Sequence, residues 1–123
     1  MHVNPFIRAG ALAAVCLSAV TFSAADKPAK LDGFARCLGE KKAAMYGAFW
    51  CEHCREQKEL FGDSAKYLPY VECSEKGAPR KFTEQCTALG IRRTPTWIFE
   101  NDRVDGKVLS LQELSQKSGC RLP

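Results

Sequence analysis

Histidine is nearly absent from this 123-residue chain: only His2 and His53 occur. That scarcity weakens any metal-site reading, because imidazole is the commonest protein ligand for zinc and copper. A c-type haem is excluded more directly, since position 55, after the second cysteine of "CEHC", is Arg and not His. Long apolar runs are missing too. The longest, "AGALAAVCLSAVTF" over residues 9–22, has about 14 residues, short of the roughly 20 a membrane helix needs. There are no blocks of like charge, no internal repeats and no low-complexity segments. The densest basic spots, "ARCLGEKK" and "PRKF", read as solvated faces and not as a nucleic-acid surface.

The short apolar run has a positive explanation. It follows Arg8 and leads into "SAADK", where Ser23 and Ala25 supply the small residues of a cleavage site. Residues 1–25 therefore read as a secretory signal peptide, with an uncleaved anchor as the alternative. Residues 26–30 form a short linker, 31–120 a single domain and 121–123 a tail. Removing 25 of the 123 residues leaves 98, enough for one modest core, and lowers the formal charge from +4 to +3 because only Arg8 is lost. The mature chain is expected in the periplasm or otherwise exported.

Cysteine is the residue in excess. Seven become six once Cys16 leaves with the signal: Cys37, Cys51, Cys54, Cys73, Cys86 and Cys120. An even count in an exported chain indicates disulfides, with 15 possible connectivities for six cysteines.

The periodicities predict helix, strand, helix, strand, helix, strand, strand, helix. Leu31, Phe34 and Leu38 lie at helical spacing, with Asp32 as a candidate cap. "AAMYGAFW" predicts a buried strand, "CEHCREQKELF" a helix stopping at Gly62, and "YLPYVECS" a second strand. "EKGAP" predicts a turn, and "PRKFTEQCTALG" a helix opened by Pro79 and closed at Gly90. "TPTWIFEN" and "RVDGKVL" predict a hairpin, and Ser110 with Glu113 a capping box for the last helix. Such alternation implies parallel strands joined by crossovers, with one antiparallel hairpin at the end.

Cys51 and Cys54 sit where a strand runs into a helix. Unpaired N–H groups and the macrodipole place about half a positive charge at that tip. Cysteines in such settings titrate at about 3.5–7.5 instead of near 8.5, and the thiolate is the nucleophile. Cys54, one turn later on the same face, can resolve a mixed disulfide on Cys51. Protonated His53 favours the thiolate and Glu52 opposes it, while Arg55 and Lys58 favour it. Two readings compete with a redox pair: a metal site using Cys51, His53 and Cys54, and a purely structural Cys51–Cys54 staple, whose small loop would stabilise little.

"FWCEHC" and "RTPT" together resemble the active-site junction and the cis-proline loop of the thioredoxin superfamily. With "YGAFWCEHCREQKELFG", "YVECS", "CTALGIRRTPTWIF" and "LSLQEL", the chain over residues 31–120 resembles the thioredoxin-like domain found with bacterial homologues of vitamin K epoxide reductase. The resemblance implies an α/β thioredoxin-like fold, a central mixed sheet flanked by helices, without the first strand. It implies Cys51 as exposed nucleophile and Cys54 as resolving thiol. Pro95 would be cis, Thr94 would offer its backbone to a substrate strand, and Trp50 would pack near the site. Cys73–Cys86 and Cys37–Cys120 would be structural disulfides, with a second redox couple at Cys73–Cys86 as the alternative. No metal or organic cofactor is implied. The partners would be substrate proteins carrying thiols or disulfides and a membrane quinone-linked vitamin K epoxide reductase-type enzyme, with the chain itself a monomer. The expected activity is oxidation of secreted proteins; reductase or isomerase action, or a non-catalytic metal-binding or disulfide-stapled adaptor, are the rivals. Met45 stands where thioredoxins carry a buried Asp, so the acid that assists the resolving cysteine is missing.

Overall fold

Leu31, Phe34 and Leu38 do share one stripe, and helix α1 forms over Asp32–Glu40 with Phe34, Ala35 and Leu38 buried. The computed structural model describes Gly10 and residues 30–123; apart from Gly10, the expected export signal, and all but the last residue of the linker, lie outside the described residues. Strand β1, Ala44–Gly47, buries alternate residues, Met45 and Gly47. Helix α2 covers Glu52–Glu59, followed by a 3₁₀ segment over Gly62–Tyr67 and strand β2, Tyr70–Glu72. A hairpin of β3 (Ser74–Glu75) and β4 (Ala78–Phe82) precedes the short helix α3, Glu84–Ala88. Strands β5 (Thr96–Ile98) and β6 (Arg103–Asp105) and helix α4 (Leu111–Ser118) complete the chain.

The central sheet has the order β2-β1-β5-β6 and is mixed, as in a thioredoxin-like fold. Strands β1 and β2 are parallel, whereas β5 runs antiparallel to β1 and β6 antiparallel to β5. The expectation of parallel strands up to the last hairpin is therefore corrected at β5. The reason lies in the connection. A parallel return requires a crossover that carries the chain back along the sheet. Here a hairpin and a five-residue helix occupy that stretch. Gly47 pairs with Glu72 and Tyr46 with Thr96, so the chain re-enters the sheet at the end where β2 left it.

Two further readings are corrected. Pro79 does not open a helix; it lies in β4, and the helix starts at Thr83, whose hydroxyl accepts the Cys86 N–H. Phe82, Cys86 and Leu89 lie at helical spacing in that stretch, but Phe82 ends a strand and Cys86 lies in the helix, so one apolar stripe spans both elements. Asp32 is not the cap of α1: Leu31 holds that position without a side-chain bond, and Asp32 accepts from the Ser64 hydroxyl at 2.6 Å. The Ser110–Glu113 capping box of α4 is present.

Trp97, Leu38, Met45, Leu109 and Leu114 are fully buried and form the centre of the core with Phe34 and Phe61, whose rings stack at 5.9 Å. Cys37 and Cys120 are joined with 83 residues of sequence separation, tying α1 to the segment after α4. In the chain-entropy model a loop of that length is worth roughly 4–5 kcal/mol. Cys73 and Cys86 are joined across 13 residues and, with Ile91, form a small second cluster under the hairpin.

One polar side chain lies inside this core. Gln57 of α2 is fully buried; its Nε2 donates to the Leu109 carbonyl at 2.9 Å, and its Oε1 accepts from Trp97 Nε1 at 3.1 Å and Leu109 N at 2.8 Å. Nothing in the polar stretch "REQKE" distinguishes this glutamine from its neighbours. Gln57→Leu would leave the Trp97 and Leu109 donors buried without a partner, each costing about 1–3 kcal/mol. A loss of about 2–6 kcal/mol of unfolding free energy, read by chemical denaturation, is expected; an unchanged midpoint would show that α2 is held by apolar packing alone.

Candidate active site

The junction between β1 and α2 is a turn at Phe49–Trp50, after which Cys51 caps the helix. Its backbone is extended, and its sulfur accepts the Cys54 N–H at 3.3 Å, the place usually taken by a serine or aspartate oxygen. The sulfur also donates to the Thr94 carbonyl at 3.4 Å. Both cysteines are free thiols here, so the described state is the dithiol.

The expected exposure of Cys51 is corrected: it is 8% accessible, against 2% for Cys54. The turn residues around it take the solvent instead, Phe49 at 66% and Trp50 at 45%. The sulfur of Cys51 still borders a shallow groove of about 400 Å³ lined also by Trp50, Phe82, Arg93 and Thr94. The asymmetry between the two sulfurs survives, but as a slot and not as an open surface.

Trp50 is thus near the cysteines and outside the core. Its indole donates to the Ser74 hydroxyl at 3.0 Å and its ring stacks on Phe82 at 6.5 Å. Ser74 in turn donates to the Pro79 carbonyl, so the β3–β4 hairpin forms one wall of the groove. The opposite wall is the loop before β5. The Thr94–Pro95 peptide is cis. Pro95 is buried, its carbonyl accepts the Gly106 N–H at 2.8 Å, and the Thr96 hydroxyl lies 2.7 Å from the Arg93 carbonyl.

The charged residues expected to tune Cys51 are engaged with one another. Arg55 pairs with Glu52 and lies 3.8 Å from Glu59; His53 Nδ1 lies 3.3 Å from Glu56. All are largely exposed, where such pairs are worth little. The ammonium of Lys58 sits 3.6 Å from the centre of the Tyr70 ring. Cys51, His53 and Cys54 gain no further metal ligand: among the described residues no three His, Cys, Asp or Glu side chains are grouped to hold an ion.

Residues that the sequence did not single out complete the site. Gly47 ends β1 against both sulfur and aromatic: a Cβ there would lie 2.6 Å from Tyr70 Cε2 and 3.1 Å from Cys54 Sγ. The Tyr70 hydroxyl donates to Glu72 at 2.6 Å, and the other oxygen of Glu72 accepts the Phe49 N–H at 2.8 Å. In the sequence Tyr70 and Glu72 read as part of the strand "YLPYVECS" and of the family-like stretch "YVECS", with no role of their own.

No protein-family model matches the chain. A curated relative, thiol-disulfide oxidoreductase LTO1 of Arabidopsis thaliana, is 45% identical over 91 residues, covering 72% of this chain. The chain spans 24% of that relative's length, about a quarter.

Burial pushes the Cys54 thiol up from its ordinary 9.0 to about 12, with the hydrogen bond to Cys51 adding to the effect. The folded value exceeds the unfolded one, so the unfolded chain releases the Cys54 proton first as pH rises. The dithiol form should therefore keep this contribution below about pH 9 and lose it as pH climbs toward 12. Melting temperatures of dithiol and disulfide forms measured across that range should diverge, the dithiol falling faster. Parallel curves would show that Cys54 titrates normally.

Proposed function

We propose that this chain is an exported thiol–disulfide oxidoreductase that oxidises secreted proteins and is itself reoxidised by a membrane quinone-linked enzyme of the vitamin K epoxide reductase type. The observation that carries the exchange chemistry is the cap: a sulfur at the start of α2, hydrogen-bonded by the Cys54 N–H and bordering a groove. The relative's printed name agrees with thiol–disulfide chemistry. Export rests on the leader-like residues 1–25, and the membrane partner on the resemblance of the quoted motifs.

In the oxidising direction a substrate thiolate attacks Cys51 Sγ, because that sulfur borders the groove and Cys54 does not. The Cys51–Cys54 bond breaks and its electron pair goes to Cys54. A second substrate thiolate then attacks the substrate sulfur of the mixed disulfide, and Cys51 leaves as a thiolate that the Cys54 N–H receives. Thr94 borders the groove beside Cys51 and is the proposed contact for the substrate backbone. Cys73–Cys86, with both cysteines fully buried, serves as a staple in this reading.

Cys54→Ser should accumulate substrate proteins in disulfide linkage on Cys51, detected by non-reducing electrophoresis and mass spectrometry, and Cys51→Ser should accumulate none. Equal trapping by both variants would defeat the assignment. The potential of the Cys51–Cys54 couple against glutathione decides direction: an oxidant is expected nearer −120 mV and a reductant nearer −270 mV. A value in the reductant range would replace the oxidase reading with reductase action. Copurification of near-stoichiometric zinc or copper would favour a metal carrier instead.

A further inference from the structure

Cys54 presents a chemical problem that the cap on Cys51 does not solve. To close the disulfide after a mixed disulfide has formed on Cys51, Cys54 must shed its proton, and in the reverse direction its departing sulfur must gain one. Burial holds that proton tightly, and the β1 position nearest in register to the usual acid is Met45, fully buried and without a proton acceptor.

The space above Gly47 holds another candidate. The point where a Cβ would sit is 3.1 Å from Cys54 Sγ and 3.1 Å from the Tyr70 hydroxyl. Sulfur and oxygen are therefore at most twice that distance apart, a span that one bridging water covers. The hydroxyl is already committed as a donor to Glu72 Oε2 at 2.6 Å, which leaves its lone pairs as the available acceptor. Glu72 is fixed in turn by the Phe49 N–H. The groups facing Tyr70 are Cys51 and Cys54 from the helix tip, Glu72 from its own strand, and Lys58 from α2, whose ammonium lies over the ring. From β1 the neighbour is Gly47, which adds no charge and no bulk.

We propose that Tyr70 and Glu72 form a proton relay for Cys54: the Cys54 proton passes to the Tyr70 oxygen as the Tyr70 proton passes to the Glu72 carboxylate. Cys54 Sγ then attacks Cys51 Sγ, the Cys51–Cys54 bond forms, and the bond from Cys51 to the substrate sulfur breaks with its electron pair on the substrate. In the opposite direction the same path returns a proton to Cys54 as it leaves. Burial, and then the bond to Glu72, hold the Tyr70 hydroxyl above its ordinary range, so it passes a proton on only as it takes one. The ammonium of Lys58 stabilises negative charge along the path. The relay rests on the oxidoreductase reading and assigns it a positioning residue, Glu72, that acts through Tyr70.

The test mixes dithiol protein with glutathione disulfide, quenches with acid at intervals, and counts the Cys51–glutathione adduct by mass at several pH values. In the wild type the adduct should be transient. In Tyr70→Phe and in Glu72→Gln, closure by Cys54 should slow by about a hundredfold or more at neutral pH, so the adduct accumulates. The deficit should shrink as pH rises, because hydroxide then removes the Cys54 proton without the relay. Closure at the wild-type rate in either variant, or a deficit equal at all pH values, would overturn the relay. If the wild type forms no adduct on Cys51 at all, the oxidoreductase reading falls with it; normal adduct formation with unaffected variants defeats the relay alone.

Discussion

The amide of Gln57 is the contact on which the geometry of the site depends. It bonds at once to β5, through Trp97, and to the entry of α4, through Leu109. A buried amide with donor and acceptor both satisfied tolerates little sliding, since each misplaced partner would stay unpaired away from water. Apolar packing alone would hold α2 against the sheet with less definition along its axis. Because Cys51 and Cys54 lie at the tip of this helix, the same bonds determine where the sulfurs stand relative to Thr94 and Pro95.

The second determinant is the direction of β5. Had it returned parallel to β1, the Arg93–Pro95 loop would lie at the far end of the sheet, some three residues of strand away from the cysteines. The β3–β4 hairpin and the short α3 keep the chain at one end instead, and β5 starts where β1 stops. One strand end then carries the sulfur pair, the proline loop and the Tyr70–Glu72 pair together. The hairpin does a second job, since Trp50 reaches across to Ser74 and Phe82 and closes a wall of the groove.

The electrostatics of the site are local and mostly not those of side-chain ions. Glu52 and Arg55, and His53 and Glu56, pair with one another in solvent, where such contacts act weakly. What faces Cys51 is a backbone N–H and the open end of a helix. Cys54 meets the reverse situation: it is enclosed, its proton is held by burial, and the hydroxyls of Tyr70 and Thr94 lie near it. Two thiols three residues apart thus differ because one is at the lip of a slot and the other behind it.

Much of this was legible from residues alone. The Cys51–Cys54 spacing after an apolar strand, the capping box at Ser110, and the stripe of Leu31, Phe34 and Leu38 are local patterns, and local hydrogen bonds and periodicity create them. The Pro79 error shows the limit: an edge strand and a helix start can share one apolar stripe, and only pairing with Ser74–Glu75 separates them. The polarity of β5, the burial of Cys51, the choice of Gln57 over its polar neighbours, and the meeting of Tyr70 with Cys54 over Gly47 were decided only in three dimensions. Each depends on contacts between segments far apart in the chain, and a single sequence carries no record of which distant donor a given acceptor will meet.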